Sequence, residues 1–166
     1  MKKLFLVFVL ACLSASTAFA DFYNGVFAYS RGEYDQAYNT MRSLAETADH
    51  GLAQYYVAMM YLRGHGVEQS YDEAAGWFRK AAEQGIKQAQ YNLAELYMKG
   101  RGVPRDYEYA YAWYRAGAEQ EHKKSMAALV AAEQNLSPEE LEEAKKLARQ
   151  FIKDYAPEEE DPPAGQ

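Results

Sequence analysis

Between Ala53 and Lys124 the apolar residues recur at intervals of three and four. Ala53, Val57, Met60 and Tyr61, followed by Gly64, keep that spacing, and so do Ala74, Trp77, Phe78, Ala81 and Ala82. Each set falls on one face of an α-helix, because 3.6 residues per turn bring such positions into a single stripe. On the second stripe small residues alternate with large rings. Such a face can approach a neighbouring helix closely while the rings fill the gaps. The pattern predicts pairs of amphipathic helices.

The pair is written twice. Setting Ala53 on Ala89, an offset of 36 residues, aligns Gln54 with Gln90, Tyr61 with Tyr97, Gly64 with Gly100 and Gly66 with Gly102. Without a gap, the register also aligns Trp77 with Trp113, Arg79 with Arg115 and Glu83-Gln84 with Glu119-Gln120. The second stripe recurs as Ala110, Trp113, Tyr114, Gly117 and Ala118. A two-helix unit cannot bury its apolar face alone, and stacking one unit on the next solves this. The residues kept between copies are expected to build the stack, and those that differ are expected to decorate it.

The connection between the two helices has its own chemistry. Gly64 stands where a left-handed C-terminal residue is wanted, and Gly66 lets the loop turn again without a Cβ clash. Ser70 is expected to cap the second helix, with Glu73 three residues on completing a capping box. Asp106 takes the cap role in the next copy, and Gly85 ends the earlier second helix.

Weaker copies flank this pair. Tyr29 to Ala37 carries the helix–turn–helix logic with a shorter loop, and Met41 to Thr47 imitates Phe78 to Gln84. Lys124 to Gln134 reads as a further first helix. In the segment after it Ser137 caps, Pro138 suits the first turn and Glu140 completes the box. That last helix has charged outer positions, as a terminal cap needs. The expected units run over 21–52, 53–88, 89–124 and 125–155, the outer two degenerate. The acidic, Pro-rich 156–166 is expected to be disordered.

The first 20 residues read differently. Lys2 and Lys3 precede an apolar run from Leu4 to Ala11, and Ala18-Phe19-Ala20 offers the small residues that a signal peptidase inspects. The run is too short to span a bilayer, which takes about 20 residues. A lipoprotein-type cut would use Cys12, but Ala18-x-Ala20 is the better cleavage site. A chain starting at Asp21 has no cysteine and hence no disulfide, although an exported compartment permits them. Losing two lysines moves the formal charge from −6 to −8, 16 basic against 24 acidic residues. Such a balance points away from nucleic acid and from anionic lipid. No stable membrane insertion is expected after cleavage, and the expected location is periplasmic or secreted.

The repeated residues resemble the Sel-one-like repeat family, a branch of the tetratricopeptide-like α-solenoids. Ala89, Leu93, Tyr97, Gly100, Gly102, Val103, Asp106, Ala110, Trp113, Tyr114 and Ala118 match its pattern, as do their counterparts from Ala53 to Gly85. Departures are Ala58 and Ala94 for the usual Gly, Ser70 for Asp, Gly117 for Ala and Glu121 for the closing Gly. The resemblance implies an all-α fold, a right-handed α-α superhelix of tandem helix-turn-helix repeats with a C-terminal capping helix. It also implies that the first helices line the concave side. Their non-core positions Tyr56, Met59, Arg63, Asn92, Glu95 and Lys99 are then the candidate protein-binding surface, while Tyr55 and Tyr91 are expected to pack between units. The implied function is a non-catalytic adaptor of the bacterial cell envelope that binds another envelope or secreted protein. Two alternatives stand beside it. One is the β-lactamase or penicillin-binding activity of cysteine-rich relatives, which carry a cysteine pair in each repeat. The other is a secreted factor that engages a host protein.

Catalytic and metal chemistry find little footing. His50, His65 and His122 lack a second His or Cys at metal spacing, and all three fall in loops or turns, where a solvated histidine is expected. Gly64-His65-Gly66 and Gly100-Arg101-Gly102 lack the preceding strand and the following Lys-Ser/Thr of a phosphate loop. The glutamates around Glu139 to Glu143 sit near a helix N-terminus, where acids are favourable partners of its dipole. No catalytic residue, metal or cofactor is expected.

Overall fold

A computed structural model describes residues 18–155, which form eight α-helices and no strand. Most of the expected leader and all of the acidic tail lie outside the described residues. Helix α1 covers 18–30 and is followed by α2 (Tyr34–Thr47), α3 (Gly51–Arg63), α4 (Tyr71–Glu83), α5 (Lys87–Lys99), α6 (Tyr107–Glu119), α7 (Lys123–Glu133) and α8 (Pro138–Tyr155). From α2 to α7 each helix packs on the next, giving an all-α solenoid. The periodic residues are where the pattern puts them: Ala53, Val57, Ala74, Phe78, Ala89, Leu93, Ala110 and Tyr114 are buried in one continuous core.

The Gly-x-Gly loops do more than turn. Gly64 and Gly100 adopt the left-handed conformation at φ 70° and 62° and close α3 and α5. The second glycine of each loop presses on the unit before it. A Cβ on Gly66 would stand 2.6 Å from the Tyr34 carbonyl oxygen, and one on Gly102 would stand 2.2 Å from that of Tyr71. Each loop therefore rests, backbone on backbone, against the first residue of the preceding unit's second helix.

Polar letters kept between copies also hold the stack. Gln54 and Gln90 are fully buried in spite of their amides. Gln90 Nε2 donates to the Ala82 carbonyl at the end of α4, and its Oε1 accepts from Gln120 Nε2 just after α6, at 3.1 and 3.0 Å. Gln54 accepts from Gln84 at 3.0 Å and donates to Asp49 at 2.6 Å. A guanidinium from the preceding unit meets the kept tyrosine: Arg42 donates to Tyr61, and Arg79 donates to Tyr97 at 2.6 Å.

The caps follow the sequence with one difference. Ser70 and Asp106 accept from the backbone N–H three residues on. Ser137 and Glu140 form the full reciprocal box. At Ser70 only half a box exists, because its own N–H donates to the Tyr61 carbonyl across the loop and needs no help from Glu73.

The last two helices break the alternation. α7 packs on α6 and touches α5 at its edge, but α8 lies along α6 and reaches the end of α4. It is held there by aromatic rings: Phe151 lies 4.3 Å from the Trp113 ring, and Tyr155 stacks on it at 5.5 Å. The Trp113 indole N–H is buried under this cover without an acceptor, a cost that the ring burial offsets.

Candidate functional site

On the side where α3, α5 and the start of α7 lie next to one another, two adjoining clefts open. Most of their lining comes from residues turned away from the core, but Met59, expected at a non-core position, and Leu96 are buried core members that reach the clefts only at their edges, because the neighbouring helices close over them. The smaller, about 130 Å³, is lined by Tyr55, Met59 and Arg63 from α3, Gln88, Tyr91 and Asn92 from α5, and His122 and Lys124. The larger, about 370 Å³, lies between Leu62 and Tyr71 on one side and Asn92, Glu95, Lys99 and Arg101 on the other. Met59, Arg63 and Asn92 thus meet in one cleft and Asn92, Glu95 and Lys99 in the next, with Asn92 common to both.

Tyr56 is placed elsewhere. Its ring packs edge-on to Phe22 at 6.0 Å and to Tyr29 at 5.5 Å, within an aromatic group between α1 and α3. Its neighbour Tyr55 faces the cleft and touches Phe78 as well. Tyr55, Tyr91, Arg101 and Lys124 are cleft residues outside the candidate set. The first two were expected to pack between units, but their ring contacts fall within their own units, Tyr55 on Phe78 and Tyr91 on Tyr114 and His122; the other two lie outside the first-helix positions of the two full copies.

The charges around the clefts are uneven. Among the described residues Glu95 is the only acid lining them, and it is tied on both sides, by an ion pair with Lys99 and by the Tyr114 hydroxyl, which donates at 2.5 Å. Burial pushes the Glu95 carboxyl upward, but these two hydrogen bonds outweigh it and hold it below the ordinary carboxylate range. Burial, and then the same carboxylate, drives the Tyr114 phenol well above its usual value. Arg63 donates to the Tyr29 hydroxyl at 3.2 Å, Arg101 lies over Tyr71 and Lys124 over Tyr91. None of these three cations has a carboxylate in ion-pair range among the described residues.

Two other clefts are as large and differ in kind. One of about 470 Å³ between α6 and α8 holds Arg115 and Glu119, which pair with each other, and Lys145, which pairs with Glu142. Another of about 440 Å³ is a loop recess around Gly32 and Gly66, lined by Glu33, Tyr34, Asp35 and Gln36, with no cation among its lining residues.

The histidines are not free in solvent. His65 stacks on Tyr34 with ring centres 4.1 Å apart, and His50 stacks on Phe22 at 4.8 Å while capping α3 through the Ala53 N–H. His122 meets the Ser125 hydroxyl at 2.8 Å and the Tyr91 ring. Loop position suggested solvation, but a ring reaches over each loop, that of Tyr34 from the preceding unit and those of Phe22 and Tyr91 from the same unit. Among the described residues no three His, Cys, Asp or Glu side chains cluster as metal ligands, and no helix is long and apolar enough to cross a membrane.

The Sel1 repeat family model matches residues 51–86 and 87–122, each block opening on the first residue of a first helix. No curated protein matches at a significant level. Among solved structures, one similar chain is a protective antigen present in uropathogenic Escherichia coli strains, displaying an SLR fold. It is 34% identical at a TM-score of 0.80, with 85% of this chain and 31% of that one covered. A Sel1 repeat protein from Oxalobacter formigenes is 31% identical at a TM-score of 0.61, covering 78% of this chain and 55% of its own. The chain thus spans about a third of the one relative and just over half of the other.

Proposed function

We propose that this Sel1-like repeat protein, built on a fold that serves as a protein–protein interaction module, is a non-catalytic adaptor of the bacterial envelope. It grips a peptide segment of another protein on the concave side formed by α3, α5 and the start of α7. Met59, Arg63, Asn92, Glu95 and Lys99 contribute to this surface, together with Tyr55, Tyr91, Arg101 and Lys124. The observation that carries the reading is the gathering of Arg63, Arg101 and Lys124 beside tyrosine rings, without carboxylate partners among the described residues, on a chain whose net charge is −6. Cations left unpaired in a cleft attract a carboxylate-bearing partner, and ring faces beside them take up an apolar side chain. The expected leader supports an exported location, as does the likeness to a protective antigen.

The test is a pull-down from envelope extract with the full chain and with the Arg63→Glu/Lys124→Glu variant. The variant is expected to keep its melting temperature and to bind the captured partner at least about tenfold more weakly, because each charge-assisted contact contributes about 1.5–3 kcal/mol. Capture of the same proteins at the same strength would reject the site.

A further inference from the structure

Among the described residues, one side of helix α7 has no partner. Ser125 and Ala132 are buried and Ala128 and Leu129 partly so, which uses one face of the helix against α6. On the opposite face Met126 is 54% and Val130 59% exposed. One unit earlier these positions hold Gln90 and Ala94, both 0% exposed on a helix packed by α4 on one side and by its hairpin partner α6 on the other. α7 lacks that cover because α8 lies on α6 instead.

The sequence of α7 fits a cover of the same kind as itself. Ser125 to Ala132 is an uncharged run between Lys123 at the start and Glu133 at the end. Both charges oppose the helix dipole, which favours acids at the N-terminus and bases at the C-terminus. Lys123, Met126, Val130 and Glu133 recur at three, four and three residues, along one seam. An antiparallel copy laid on this seam brings Lys123 of one helix beside Glu133 of the other at both ends. It sets Met126 against Val130 between them, with Ala127 small enough for close approach.

We infer that α7 is a self-association surface, on which a second copy of this chain packs its own α7 antiparallel about a twofold axis. The two ends of such an isologous contact are equivalent. A helix of 11 residues is about 16 Å long, so the contact falls short of the roughly 1,200 Å² that a tight interface buries. The dimer is therefore weak and concentration-dependent, and it places two clefts in one assembly.

Sedimentation of the full chain, from low micromolar to near-millimolar concentration, tests this. The apparent mass is expected to climb from one chain toward two. Val130→Glu should stay monomeric throughout with an unchanged helical circular-dichroism melt. Lys123→Glu and Glu133→Lys should each weaken self-association about tenfold or more, and an equal mixture of these two should recover it, because their charges then match at both ends. A wild-type chain that stays monomeric, or a mixture that associates no better than either variant alone, would overturn the inference. If Val130→Glu lowered the melt, the charge-swapped pair would still decide.

Discussion

Helices α5 and α7 hold the same place in successive units, yet one is enclosed and the other stands half bare. The connection after α5, Gly100 to Asp106, is seven residues long and contains the glycine pair. The connection after α7, Gln134 to Ser137, is four residues long and has no glycine. The longer loop seats itself on the previous unit and returns α6 onto α5. The shorter one gives α8 no such seat, and α8 settles on the ring of Trp113. The two tryptophans record the difference. Trp77 is flanked by cations, Lys80 at 4.1 Å and Arg42 at 5.1 Å, whereas Trp113 is covered by Phe151 and Tyr155. A helix that follows another is thus not bound to pair with it, and the loop and the best available apolar surface decide.

The largest expected effect breaks the α8 side of this contrast. Trp113→Ala removes the ring on which α8 rests and should cost about 3–5 kcal/mol in urea unfolding. Trp77→Ala, at a site closed by flexible cations, should cost clearly less. Equal losses would mean that α8 is not held by the ring. Next comes the loop seat. Gly102→Ala combines φ +68° with a Cβ 2.2 Å from a backbone oxygen, and should cost more than about 3 kcal/mol. Gly32→Ala has a similar φ of +78° but open space, and should cost about 1–2 kcal/mol. A smaller difference separates Gln90 from Met126. Gln90→Leu leaves the Gln120 amide without its acceptor and should cost about 1–3 kcal/mol, while Met126→Gln should stay within about 0.5 kcal/mol.

The hairpins were legible because Gly-x-Gly-Val, the tryptophan and the alanines each satisfy a local rule that the structure also obeys. The seating of the second glycine was not, because it depends on a backbone 31 residues earlier, Tyr71 for Gly102. The place of α8 was equally hidden. Its cap, its charges and its apolar stripe suit a terminal helix, but nothing local says which neighbour takes the stripe. In the cleft, Met59, Arg63, Asn92, Glu95 and Lys99 followed from helical position. Tyr55 and Tyr56 are adjacent rings about 100° apart on the helix, and only the position of α1 shows which of them faces the cleft.

The mildest prediction concerns the junction of α6 and α7. Burial, and then the nearby Lys87 and Lys124, hold the His122 imidazole below its ordinary pKa of 6.5. The folded state therefore favours the neutral ring, and the unfolded chain binds the proton more readily. Stability from this site is present above the unfolded value and is lost as pH falls through the lower folded one. A small drop in melting temperature is expected as pH is lowered from about 6.5, and His122→Gln should flatten it.

The resting of Gly66 on Tyr34 and of Gly102 on Tyr71 is a contact of main chain on main chain. A block of 36 residues copied with its glycine pair and its kept side chains and inserted at this seam would find its footing already cut. Arrays of this design can grow by duplication while the spacing of their units stays the same, and each added block is free to acquire its own outward residues.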